Sequence, residues 1–307
     1  MTDVRAALAL AGPSARAEDD DAPVPRDPRR APRDRALDAL AKLLPPDLLA
    51  LVPDKWELLG DVLVLRLPGA LRPHERAVAS ALADALGARA VVADDAGVAG
   101  EYREMRGRLL LGDDPVATHV ENGVRFRLDA SRVMFSSGNV HERTRTAAVD
   151  ARGETVVDMF AGIGYFTLPL AVHAGPARIH AIEKNPLAHR FLVENVVLNG
   201  VERIVEPWLG DNREFPLDGV ADRVLMGYFP GTARFLPKAM ALLKPGGGRV
   251  HYHDSAHAES WREEMTRALL DAARGCGRVV RVEEARVVKT HSPGVAHAVV
   301  VARVMGP

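Results

Sequence analysis

The chain has a single cysteine, Cys276, in 307 residues. That excludes an internal disulfide and any zinc site built on a cysteine cluster. Lysine is nearly as scarce, with six against thirty-four arginines. Together with heavy alanine usage this reads as a coding bias, so an individual arginine carries less functional weight than usual. No apolar run approaches the ~20 residues needed to span a bilayer. The N-terminus also lacks a lysine-flanked apolar core with a cleavage site. The formal net charge of -1 gives no general attraction to nucleic acid or membrane surfaces. The expectation is a reduced, cytoplasmic setting, with no membrane and no metal. A hydrophobic fraction of 47% supports a full core, and the length allows two domains.

The chain divides by composition. Residues 12–33 are rich in Pro, Arg and Asp with almost no large apolar side chains, so a disordered tail is expected over 1–33. A small α/β domain is expected over 34–133. It opens with a helical pattern at Leu37, Leu40, Leu43 and Leu44 that Pro45-Pro46 stops. A strand (62–67), a helix (74–86) and a short strand (90–93) follow. Strands at 118–120 and 124–128 flank Glu121-Asn122-Gly123, and Asn-Gly is a strong hairpin signal. From residue 134 to the end a Rossmann-like, doubly wound, mostly parallel sheet is expected, closed by an antiparallel hairpin of 279–288 with 296–304.

The chemistry begins at Val156-Val157-Asp158-Met159-Phe160-Ala161-Gly162-Ile163-Gly164. This is a buried strand that runs into a glycine-bearing turn and then a helix. A carboxylate at the strand end and small residues in the turn let a nucleoside lie against bare backbone. The next strand, 178–182, ends in Glu183, where a doubly wound fold places the acid that holds both ribose hydroxyls. The turn continues Tyr165-Phe166 instead of supplying a third glycine, and no phosphate cradle follows. A cofactor without phosphate fits, and S-adenosylmethionine (SAM) is the commonest for this turn. Asp211 and Asn212 follow the next strand, where an acid can accept from the adenine amino group. Asp158, Phe160, Ala161, Gly162, Gly164, Glu183, Lys184, Asn185, Asp211 and Asn212 are therefore the candidate contacts. Any one of them could be an ordinary turn or cap residue, but the ordered set at successive strand ends could not.

Upstream lie Gly100-Glu101-Tyr102-Arg103-Glu104 and Met134-Phe135-Ser136-Ser137-Gly138-Asn139-Val140-His141-Glu142-Arg143. Ser136, Ser137 and Asn139 could hold a carboxylate or an amine, or simply form an Asx turn and helix cap. Glu142 could be a general base or half of an ion pair. Arg103 could clamp an anion or face water. His251 and His253 share one strand face with no partner motif, and a packed or hydrogen-bonded role fits them better than a metal.

With these blocks, and with Val288-Lys289-Thr290-His291-Ser292-Pro293-Gly294-Val295-Ala296-His297 near the end, the chain resembles a pair of tRNA enzymes over about residues 37–305. One is the tRNA guanine N1-methyltransferase that acts beside the anticodon, and the other is the wybutosine-synthesising aminocarboxypropyltransferase. The methyltransferase branch usually carries Phe-Ser-Pro-Arg in the upstream loop and Asn-Leu-Pro after the fourth strand. Here stand Phe135-Ser136-Ser137-Gly138-Asn139 and Met226-Gly227-Tyr228, which look like the aminocarboxypropyl branch. The resemblance implies transfer of the 3-amino-3-carboxypropyl group of SAM, with methylthioadenosine as the other product. It places Ser136, Ser137, Asn139 and Tyr228 near the methionine tail, makes Arg143 and Gly227 further cofactor contacts, and puts the family's polar pair on Arg103 and Glu142. The family acceptor is a tricyclic guanine derivative in phenylalanine tRNA, which requires a basic face. Residues 101–145 hold eight Arg against seven acids and few aromatics, a weak footprint. A small-molecule acceptor, cyclisation of SAM on itself, methyl transfer, and SAM binding without turnover stay open on the residues alone.

Overall fold

The computed structural model describes residues 31–292 and 294–306. The tail expected to be disordered lies outside them, except at its end. There Pro32 and Arg33 open helix α1 (Pro32–Leu40). Proline at the first helical position forfeits no hydrogen bond, and the Arg33 guanidinium donates to Val52 O at 3.1 Å. Ala36 and Leu40 of α1 are fully buried. The short α2 (Pro46–Leu49) leads into β1 (Trp56–Leu59) and β2 (Val62–Leu65). Helix α3 (Glu75–Leu86), β3 (Ala90–Ala99) and β4 (Glu104–Leu111) complete a four-stranded sheet in the order β1-β2-β3-β4. Two of these strands, β1 and β4, have no counterpart in the sequence reading. The first has only four residues, and the second interleaves Glu104, Arg106 and Arg108 with its apolar positions.

Strands β5 (Val116–Glu121) and β6 (Val124–Asp129) form the expected hairpin. Asn122 (φ 49°) and Gly123 (φ 76°) supply the two left-handed residues that a two-residue turn of this hand requires.

Helix α4 (Val140–Ala147) connects to the large sheet. Its elements follow as β7 (Thr155–Asp158), α5 (Thr167–His173), β8 (Arg178–Glu183), α6 (Pro186–Leu198) and β9 (Val205–Leu209). The second half comprises β10 (Arg223–Met226), α7 (Leu236–Leu242), β11 (Gly247–His257), α8 (Trp261–Gly275), β12 (Val279–Ser292) and β13 (Val295–Met305). The strand order is β12-β13-β11-β10-β7-β8-β9, and β13 alone runs against its neighbours. The chain winds outward through β8 and β9, then returns to the other side of β7 with β10. That reversal opens a crevice at the carboxyl ends of β7 and β10, where open α/β sheets bind ligands.

Strand β7 shows why the sheet is buried on both faces. Val156 packs with Ile163, Leu168, Phe191 and Leu192, whereas Val157 packs with Val224, Met240 and Val300. Alternate side chains serve opposite layers. The first layer also takes in Phe126 and Leu128 of the hairpin and Leu59 and Val62 of the small sheet, so one core joins both parts. Strand β6 would otherwise present an open edge. Asn195 and Asn199 of α6 satisfy it: each amide accepts from, and donates to, the backbone of Arg127 and Arg125 respectively, at 2.6–3.0 Å.

Candidate functional site

The turn after β7 runs through two left-handed glycines; Gly162 lines the cavity, whereas Gly164, also expected to touch the cofactor, is buried against Leu168 and does not line it. Gly162 (φ 57°) and Gly164 (φ 104°) occupy conformations that side chains disfavour. A Cβ on Gly162 would lie 2.5 Å from Tyr165 Cε2, and one on Gly164 would lie 2.6 Å from Leu168 Cγ. Gly162 N–H donates to Glu183 Oε2 and Asn185 N–H to Oε1, both at 2.7 Å. Burial raises the Glu183 pKa, and these two N–H groups oppose the rise. Each carboxylate oxygen keeps a further lone pair, and Glu183 lines the cavity, which suits a vicinal diol.

Across the cavity, Phe160 stacks on Tyr228 at 5.0 Å and meets the edge of Phe235 at 5.0 Å. Asn212 donates to Met159 O at 3.2 Å, while its Oδ1 is buried without a hydrogen-bond partner. An exocyclic amine would satisfy that oxygen. Asp211, the sequence candidate for this role, is instead held by Arg213 Nε at 2.9 Å and Lys184 Nζ at 3.1 Å. These contacts, led by Arg213, keep its carboxyl below the usual range.

The other candidates separate into those that face the cavity and those that build it. Asp158 is fully buried and does not line the cavity. It accepts from Thr167 Oγ1 at 2.7 Å and Phe160 N–H at 3.2 Å, and burial pushes its pKa up to about 6. Ala161 is buried in the turn, where its N–H donates to Ile182 O at 2.9 Å. Asn185 lines the cavity, caps α6 by accepting from Leu187 N–H at 2.9 Å, and donates to Tyr102 O at 3.2 Å. Lys184 bonds Glu101 at 2.6 Å, so residues 184 and 185 together pin the 101–103 loop at the cavity wall. Arg103 is reached there: its guanidinium donates to Phe229 O and lies 5.8 Å from the Tyr228 ring centroid. Gly227 and Tyr228 complete that wall.

The loop 134–139 closes the opposite end. The Tyr165 ring lies against Gly162 and its hydroxyl donates to Met134 O, so loop and turn are one tyrosine apart. Ser136, Asn139 and Arg143 line the cavity, and Asn139 Oδ1 is a buried acceptor without a partner. Two expectations are corrected here. Ser137 is exposed and turns outward to donate to Glu57 Oε1 at 3.1 Å. Glu142 does not line the cavity: it is 4% exposed, grips Arg286 with both oxygens at 2.7 and 2.8 Å, and lies 3.7 Å from His253 Nε2. Successive helical residues point about 100° apart, so when Arg143 faces the cavity Glu142 cannot. Arg143 is also committed, with both nitrogens on Glu121 at 2.6 Å and a third bond to Ser136 O at 3.0 Å.

His253 has the packed role expected of it, and it also lines the cavity. It stacks on Phe166 at 5.2 Å and sits 3.4 Å from His297 Nε2. Burial, then the nearby Arg286 charge, holds its pKa down to about 3. His251 accepts from Arg223 Nη1 at 2.6 Å, the hydrogen-bonded role expected of it. Lys289 reaches the cavity from β12. Both His297 and Lys289 lie in the late sequence block quoted above, and only its pairing across the sheet shows where they point. Among the described residues, no group of three or more His, Cys, Asp or Glu could hold a metal ion, and no helix is long and apolar enough to cross a membrane.

Residues 117–281 match the TRM5/TYW2 methyltransferase domain, and residues 37–115 match the TYW2 N-terminal domain. A Pyrococcus horikoshii protein named tRNA(Phe) (4-demethylwyosine(37)-C(7)) aminocarboxypropyltransferase is 41% identical over 270 residues, covering 88% of this chain and 96% of the relative. The crystal structure of P. horikoshii TYW2 in complex with MeSAdo superposes with a TM-score of 0.80 at 38% identity, covering 90% of this chain and all of that one. Trm5b from Pyrococcus abyssi superposes with a TM-score of 0.75 at 29% identity, covering 85% of this chain and 78% of that one.

Proposed function

For a chain that belongs to the TRM5/TYW2 methyltransferase family and carries a TYW2-type N-terminal domain, we propose transfer of the 3-amino-3-carboxypropyl group of SAM to a modified guanine in tRNA. The enzyme is a SAM-dependent transferase of a tRNA-modifying family, and methylthioadenosine is the second product. Bound SAM supplies a sulfonium with three electrophilic carbons, and the carbon presented in line to the acceptor is the one transferred. The chain's residues make that choice. Glu183 holds the ribose hydroxyls, Asn212 Oδ1 takes the adenine amine, and Phe160 lies under the purine. Asn139 and Ser136 hold the amino-acid end, so the tail's γ-carbon is the one presented.

The carrying observation is Asn139 Oδ1, an unpaired buried acceptor beside the cavity in the loop where the methyltransferase branch usually carries Phe-Ser-Pro-Arg. An acceptor of this kind suits the α-ammonium of the tail. Arg103, Arg132 and Arg234 line the cavity with no ion pair among the described residues, which supports an anionic acceptor such as tRNA. In this reading residues 34–133 and 134–307 form the chain's two domains.

Incubation with SAM labelled in the aminocarboxypropyl carbons, with and without tRNA(Phe) bearing the wyosine precursor, tests the reading. The expected outcome is label in the tRNA nucleoside and methylthioadenosine in solution. S-adenosylhomocysteine as the small product would overturn tail transfer. Release of methylthioadenosine without RNA would favour a small-molecule or intramolecular acceptor.

A further inference from the structure

The tail end of the cavity holds a cation contributed from far along the chain. Lys289 of β12 is half-buried there, and its Nζ donates to Ser136 Oγ at 3.1 Å. A Cβ on Gly138 would lie 3.6 Å from that Nζ and 4.0 Å from Ser136 Oγ. Ammonium, hydroxyl and loop backbone therefore converge on one spot, and Asn139, whose Oδ1 is buried without a partner, lines the same cavity from the same loop. Of the other cations at the cavity, Arg143 is matched by Glu121 and Lys184 by Glu101 and Asp211, while Arg103, Arg132 and Arg234 line it without an ion pair among the described residues. Among the described residues no carboxylate forms an ion pair with Lys289. The nearby Glu57 accepts from Ser137 instead. Burial lowers the lysine's pKa, Glu57 opposes that, and the charge of Arg143 adds to it. A half-buried ammonium with only a neutral partner is stabilised by an incoming anion.

We propose that Lys289 is the specificity-determining anchor for the carboxylate of SAM's methionine tail, acting beside Ser136, while Asn139 Oδ1 receives the tail's ammonium. Cation and acceptor together complement the two charges of an α-amino acid. With the α-carbon fixed from the loop side, the γ-carbon is held two bonds further along, at the sulfur. This inference rests on the SAM reading above and adds the residue that selects the tail.

Binding to the full chain, measured calorimetrically with SAM, decarboxylated SAM and methylthioadenosine, tests it. Decarboxylated SAM should bind the wild-type protein roughly 10- to 100-fold more weakly than SAM, the range expected for one charge-assisted contact. Lys289→Met should weaken SAM by a similar factor, change methylthioadenosine less than about threefold, and abolish the preference for SAM over its decarboxylated form. Lys289→Arg should restore part of the loss. Equal weakening of all three ligands would mean a merely structural lysine and overturn the proposal. So would unchanged SAM affinity accompanied by weaker tRNA binding, which would give the lysine to a phosphate. Failure of the wild-type chain to bind either SAM or methylthioadenosine would defeat the cofactor reading itself. The comparison of SAM with decarboxylated SAM on the wild-type protein needs no variant and stands even where Lys289→Met misfolds.

Discussion

Replacing Asp158 with asparagine changes how stability responds to pH. Burial raises the Asp158 pKa to about 6 from an ordinary 3.8, so the folded chain favours the neutral acid. A raised folded-state pKa contributes stability that is fully present below the unfolded value and is lost as pH rises through the folded one. The full loss is about 3 kcal/mol, and about 1.4 kcal/mol of it falls between about pH 5 and about pH 8. Asparagine keeps the shape, can still accept from Phe160 N–H, and does not titrate. The unfolding free energy of Asp158→Asn, relative to wild type, should therefore rise by about 1.4 kcal/mol across that interval. Any constant offset from the altered bond to Thr167 cancels in the comparison. Urea denaturation of the SAM-free protein at several pH values, followed by tryptophan fluorescence, measures it. A difference that stays flat with pH would refute the picture of Asp158 as a buried titrating brace.

Two further substitutions separate building residues from binding ones. Glu142→Gln breaks the bidentate ionic contact with Arg286, which keeps Glu284 Oε1 on its Nε at 2.6 Å as the remaining counter-charge. The expected cost is about 1–3 kcal/mol in denaturant unfolding, the range for weakening one charged hydrogen-bonded contact, with methylthioadenosine still bound by the folded fraction; wild-type stability with lost turnover would restore the role of general base. Gly162→Ala places a methyl 2.5 Å from the Tyr165 ring at φ 57°. It should cost about 1–2 kcal/mol in thermal unfolding and weaken SAM and methylthioadenosine alike, unlike Lys289→Met; an unchanged melting temperature and unchanged affinities would show that the turn relaxes freely.

The cofactor class and the large sheet are readable from the chain alone, because both rest on local patterns. Strands β7 and β8 carry Val156-Val157 and Ile179, Ala181 and Ile182 at their centres, the glycines sit where the turn needs left-handed backbone, and Glu183 stands at the expected strand end. The family signature in residues 134–143 was equally legible, since it is contiguous. Tertiary structure decided which members of those patterns face the ligand. Asp158 and Glu183 are both acids at strand ends, but the first turns inward to Thr167 and the second outward to the turn amides. Glu142 and Arg143 are chain neighbours, and one step of helix rotation sends one to Arg286 and the other to the cavity. Ser136 and Lys289 meet across 153 residues of sequence. No local propensity reports such a meeting, because it exists only after β12 pairs with β13 at the sheet edge. Spacing along a chain encodes which backbone conformations are cheap, whereas the direction of a side chain at a site is set by the packing of everything else.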